Sequence, residues 1–245
     1  MPRTKNLIVA TFLVLSVISV VVASQLNNSQ STSASAQDAG MAGLSQDGIV
    51  NPTDAPGSET VAYVNPVGTV GNQCHRGSLG MDFDVVSPIK ITSLGAFDDE
   101  MNGFKDPITV YIADRNSRYE YARVVLQNNP DELSIDNSKF VKLPQPILLD
   151  PQNATGGIKL TVVAYGYGGY TGDLRSKPSR NWLGCNERNG NSEGRPPTWY
   201  TQTGGDAIKF TGKSRFAWDI KFPAIIDTGP ANRYAAGTFI FEPAY

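Results

Sequence analysis

Asp98, Glu100 and Asn102 recur at every second residue and are followed by Gly103, with Asp106 close behind. Alternating oxygen-bearing side chains ahead of a glycine are how a calcium loop wraps a hard cation, which makes these four residues candidate calcium ligands. The match is to the opening of such a loop only. Thr109 stands where the closing glutamate belongs, and no helical pattern flanks the turn. A solvated hairpin turn is the plainer reading, although carboxylates crowded into one turn repel unless something neutralises them.

A second group of residues lies in the long irregular stretch from Gly166 to Asp206. Tyr167, Tyr170, Trp182, Trp199 and Tyr200 stand there among Asp173, Arg175, Asn181, Asn186 and Arg188. Sugar rings present apolar C–H faces and hydroxyl edges, so amphipathic rings beside polar side chains are what a carbohydrate platform requires. The same rings serve equally well as the private core of an ordered loop. Paired carboxylates for glycoside hydrolysis are a weaker prospect: 23 acidic residues make some close pair inevitable, and spacing along the chain does not report separation in space. No catalytic residue is assigned, and an enzyme is not the expectation.

His75 is the only histidine, and Cys74 and Cys185 are the only cysteines. A Ser-His-Asp or Cys-His arrangement would have to use His75, and three scattered zinc ligands have no local spacing signature. In a secreted chain the two cysteines read first as a disulfide. Such a bond would close a loop of about 110 residues, worth roughly 4.7 kcal/mol in the chain-entropy account, and would pin the aromatic loop to the loop preceding Gly77.

Strands must position these groups. In the run from Gly77 to Asp114, Met81, Phe83 and Val85 alternate with Gly80, Asp82 and Asp84, the pattern of a strand with one buried and one wet face. Ser87-Pro88 ends it, a second strand runs from Ile89 to Phe97, and a third carries Ile108, Val110 and Ile112. Further strands are expected over Thr60–Val64, Tyr119–Leu126, Phe140–Leu143 with Ile147–Leu149, Gly157–Tyr165, Ile208–Phe210, Arg215–Ile220 and Tyr234–Phe241. The Pro-x-Pro between Leu143 and Ile147 confines that piece to an edge or a bend. The expected fold is all-β, an antiparallel two-sheet sandwich of jelly-roll type with about nine or ten strands.

Pro2, Arg3 and Lys5 precede an apolar stretch from Leu7 to Ala23, which reads as a signal peptide over residues 1–23, with an uncleaved membrane anchor as the alternative. Residues 24–58 are small, polar and aperiodic and read as a flexible tether; residues 59–245 are the β domain. Asn27 and Asn153 begin N-glycosylation acceptor tripeptides. A net charge of −2 leaves no basic surplus for a phosphate backbone, so nucleic acid is not an expected partner.

The segments VGNQCHRGSLGMDFDVVSPIKITSLGAFDDEMNGF, PITVYIADR and GPANRYAAGTFIFE resemble secreted β-sandwich domains of bacterial surface proteins, including those with exosortase-type sorting tails. The matching positions are Gly80, Phe83 and Val85, then Ile91, Leu94, Gly95, Phe97 and Asp98, then Val110, Ile112 and Asp114. The resemblance implies a carbohydrate-binding-like sandwich with no assigned activity. Fold-level similarity supplies no ligand. The resulting expectation is a secreted or cell-surface protein, non-catalytic, structural or adhesive, with a carbohydrate-binding module as the alternative. Its partners would be further copies of itself or other surface proteins, joined at sheet edges or through the tether, and glycans; a membrane enters only if the first segment is uncleaved.

Overall fold

The computed structural model describes residues 58–168, 181–185 and 199–244. The signal segment, nearly all of the tether, Asn27 and Tyr170 lie outside the described residues. The described chain is all-β and its sheets are antiparallel.

In chain order the strands are β1 (Thr60–Val61), β2 (Tyr63–Val64), β3 (Leu79–Val85), β4 (Ile89–Phe97), β5 (Ile108–Asp114), β6 (Glu120–Leu126), β7 (Leu133–Ile135) and β8 (Ser138–Leu149). They continue as β9 (Ile158–Tyr165), β10 (Gly184–Cys185), β11 (Tyr200–Thr201), β12 (Ile208–Phe216), β13 (Ile225–Ile226), β14 (Tyr234–Ala235) and β15 (Gly237–Pro243). One sheet has the order β1-β15-β4-β8-β7 and the other β13-β12-β3-β9-β5-β6, with β10-β14 and β11-β2 as separate pairs. Several strands are only two residues long, which is why fifteen replace the nine or ten expected.

The period of two in β3 does what a half-apolar strand requires. Leu79, Met81, Phe83 and Val85 enter one core cluster with Ile89, Ile91 and Leu94 of the other sheet, and the rings of Phe83 and Phe239 lie 4.7 Å apart across it. The opposite face of β3 is not wet, contrary to the alternation argument. Asp82 is 0% exposed, accepting from Arg215 Nε at 2.8 and 2.9 Å and from Arg115 Nη1 at 3.4 Å, while Arg115 also pairs with Asp84. Pro223 approaches the same face at Gly80. Charge on this face is balanced by paired charge rather than by water.

The two pieces around Pro144 and Pro146 form one strand, β8, whose register against β4 breaks between Ile91 and Ser93. Because β7 covers only Ser138 to Phe140, the prolines sit where no neighbour needs their missing N–H. The expected strands at 208–210 and 215–220 are likewise one strand, β12, irregular between Phe210 and Ser214 with Gly212 at φ 75°. It stops at Phe216, so residues 217–220 are not strand.

Candidate functional site: an acidic cavity beside Trp182

The turn after β4 is built from backbone-directed hydrogen bonds. Both carboxylate oxygens of Asp98 accept from the Gly103 amide, at 3.1 and 3.0 Å, and Asp99 Oδ1 accepts from the Gly71 amide at 2.6 Å. Glu100 (φ 62°) and Met101 (φ 56°) both adopt the left-handed conformation, which costs a residue with a side chain about 1–2 kcal/mol. Strain of this kind persists only where its surroundings over-determine it.

Three side-chain amides supply that support. Asn128 brackets Phe104, accepting from its N–H at 2.8 Å and donating to its carbonyl at 2.7 Å. Asn137 is buried and donates to the Thr69 and Asp98 carbonyls while accepting from Gly68 N–H at 3.1 Å. Asn181 accepts from Lys105 N–H and donates to the Asp106 carbonyl, both at 2.7 Å. Residues 66–71, the acidic turn and the Asn181–Cys185 segment are thereby held together.

They enclose a cavity of about 310 Å³. Asp99, Glu100, Asn102 and Lys105 contribute polar groups to its lining, and Trp182, 40% exposed, contributes an indole. Gly71 is required at this wall: a Cβ there would lie 2.5 Å from Trp182 Cβ and 2.8 Å from Asp99 Cγ. Burial pushes the Asp98 carboxyl above its ordinary value, opposed by the Gly103 amide and Lys139 and reinforced by Asp99 and Glu132. Asp99 is raised too, by burial first, against the Gly71 amide and with Glu100 adding to it.

Of the expected calcium ligands, Asp98, Glu100 and Asn102 line this cavity and Asp106 does not. The Asp98 carboxylate accepts from Gly103 N–H, and Asn102 Nδ2 donates to Glu100 at 3.0 Å. Among the described residues no three or more histidine, cysteine or acidic side chains are grouped so as to hold a metal ion.

The expected aromatic platform is dispersed. Tyr167 is a core residue whose hydroxyl donates to the Phe97 and Ala236 carbonyls at 3.1 and 2.9 Å. Trp199 packs with Phe97 and Ala235 and donates from Nε1 to the Asn232 carbonyl at 2.8 Å. Tyr200 is half exposed on β11, away from the cavity lining, and of the described members of the set only Trp182 reaches it. Asn153 is exposed in the short turn Pro151–Asn153, where its side chain donates to Asp150 at 2.7 Å.

No disulfide is seen among the described residues, where Cys74 is a free cysteine; the Cys185 side chain lies outside them. Gln73 and Leu183 form an isolated antiparallel bridge between the two segments that carry the cysteines.

Asp99 and Lys105 were missed by sequence reading, because strict alternation from Asp98 selects Glu100 and Asn102 instead. An odd-numbered carboxylate within an even-numbered series carried no signal. Fold and cavity together define an all-β antiparallel domain with an acidic, indole-walled recess. No protein-family model matches the chain, and no curated protein matches it.

Proposed function

We propose that this chain is a non-catalytic adhesive component of a cell surface or extracellular assembly, whose β-sandwich of jelly-roll type binds carbohydrate in the recess beside Trp182. The observation that carries this reading is the meeting of the acidic turn and Trp182, far apart in sequence, at the walls of one cavity. An indole offers a face to sugar C–H groups, while Glu100, Asn102 and Lys105 offer acceptors and donors to hydroxyls. Sharing of one core by the inner faces of the two sheets supports the sandwich. The extracellular setting rests on the amino-terminal pattern.

Binding is favoured over turnover by how the two raised carboxylates are used. Asp98 and Asp99 are held by backbone amides at Gly103 and Gly71, a commitment that fixes a turn rather than freeing a proton donor. The test is a glycan array on the chain lacking residues 1–23, followed by calorimetry on the best soluble binder. Trp182→Ala should weaken binding about tenfold, chelator should leave it unchanged, and no reducing sugar should be released. An array without signal, or binding indifferent to Trp182→Ala, refutes the site.

A further inference from the structure

Trp218 is the most exposed large apolar side chain among the described residues, at 77%. It is nevertheless held in place. Its ring meets Phe216 edge-on at 5.4 Å and His75 at 5.8 Å, and those two rings meet each other at 6.3 Å. His75 Nε2 donates to the Ala217 carbonyl at 2.7 Å, which fixes the imidazole and leaves Nδ1 as the acceptor of the neutral ring. Burial depresses the His75 pKa against that hydrogen bond, so the ring is uncharged near neutrality.

Beneath this cluster lies a cavity of about 310 Å³ between the end of β12, β13 and the segment leading into β14. Gln73, Thr228 and Arg233 line it together with the rings. Asp227 accepts from Gly229 N–H at 2.7 Å, from Arg233 Nη1 at 2.8 and 2.7 Å and from the Tyr234 hydroxyl, so its charge is balanced and the guanidinium is oriented. The side-chain oxygen of Gln73 is buried and accepts no hydrogen bond from the described residues.

An apolar ligand would desolvate these polar groups without partnering them, and a charged one would find no unbalanced opposite charge. A neutral ring with one C–H face and a hydroxyl edge satisfies both the indole and the polar rim. The segment Val70–His75 passes from one cavity to the other, since Val70 and Gly71 wall the Trp182 recess and Gln73 and His75 wall this one.

We propose that the cavity beside Trp218 is a second carbohydrate subsite, taking a neutral sugar ring against the indole with Gln73, Thr228, His75 and Arg233 on its hydroxyls. This inference rests on the carbohydrate reading of the domain but not on the Trp182 recess. The probes are neutral hexasaccharides of glucose, mannose, xylose and N-acetylglucosamine, titrated by calorimetry and by tryptophan emission.

The chain has three tryptophans and Trp199 is buried, so emission changes in a Trp182→Phe variant report on Trp218. A saccharide should still perturb emission in that variant. Trp218→Ala should weaken binding about tenfold, an aromatic stacking contribution near the upper end of its usual range. Thermal melts should match the parent, because the ring removed is mostly in solvent. Binding lost in Trp182→Ala and untouched in Trp218→Ala overturns the second subsite and leaves the first. Binding lost only in Trp218→Ala upholds this subsite and overturns the first. A wild-type chain that binds none of the probes, or whose Trp218 emission responds to phosphatidylcholine vesicles and not to saccharide, overturns the proposal.

Discussion

Replacing Asp82 by alanine tests the ion layer that covers the outer face of β3. The carboxylate is fully buried, and its partners Arg215 and Arg115 have side chains only 14% and 11% exposed. Removing one member of a buried charge cluster strands the others, at a cost of about 3–5 kcal/mol. Arg115 keeps Asp84, so the lower end applies and about 3 kcal/mol is expected. For a domain of this size that lowers the melting temperature by roughly 6–12 °C. Urea unfolding followed by tryptophan emission gives the free energy, and an unchanged slope shows that the native state retains its compactness. Asp82→Asn, which keeps an acceptor in the same place, should cost less than alanine. Removal of the exposed Asp219–Lys221 pair should leave the midpoint unmoved. If Asp82→Ala costs under about 1 kcal/mol, the pairs behave as surface pairs do and the covered face is wrongly described.

The raised carboxyls of Asp98 and Asp99 bind protons more readily folded than unfolded, so their stabilising effect is present at low pH and fades as pH rises through the folded values. An Asp98→Asn, Asp99→Asn double variant should therefore gain urea resistance over the parent at pH 7 and lose that advantage below the ordinary value of 3.8; equal differences at both pH values would contradict the assignment. Gly71→Val should displace Trp182 and Asp99 and weaken glycan binding more than Trp182→Phe does, measured by calorimetry. Cys74→Ser should cost less than about 1 kcal/mol in urea unfolding, far below the roughly 4.7 kcal/mol expected of a bridge, and intact-mass labelling under native conditions should find the thiol.

Local patterns translated well into structure and long-range ones did not. The inward residues of β3 and β4 follow from alternation alone, because side-chain direction is set by the strand itself. The burial of Asp82 does not follow, since it depends on Arg215, 133 positions away, and on the chain around Pro223 returning over the sheet. Aromatic residues divided the same way. Tyr167 stands two residues beyond β9, and its hydroxyl reaches the carbonyls of Phe97, at the end of β4, and of Ala236, between β14 and β15, which no local pattern announces. Trp218 reads as strand interior when Arg215–Ile220 is taken as one run, whereas β12 ends at Phe216 and turns the indole out.

The acidic turn shows that residue type alone does not settle the chemistry of a site. Alternating acidic and amide side chains before a glycine suit a cation only if their oxygens converge, and convergence is a property of φ and ψ. Here positive φ at Glu100, Met101 and Gly103 brings the Gly103 amide back onto Asp98, so the backbone neutralises in part the charge that a metal would have met. Asn128, Asn137 and Asn181 then fix the turn through uncharged hydrogen bonds to three separate segments. A wall held this firmly loses little freedom when a ligand enters, and that pre-organisation suits the sugar recognition proposed for the recess, by a few hydrogen bonds and one indole face.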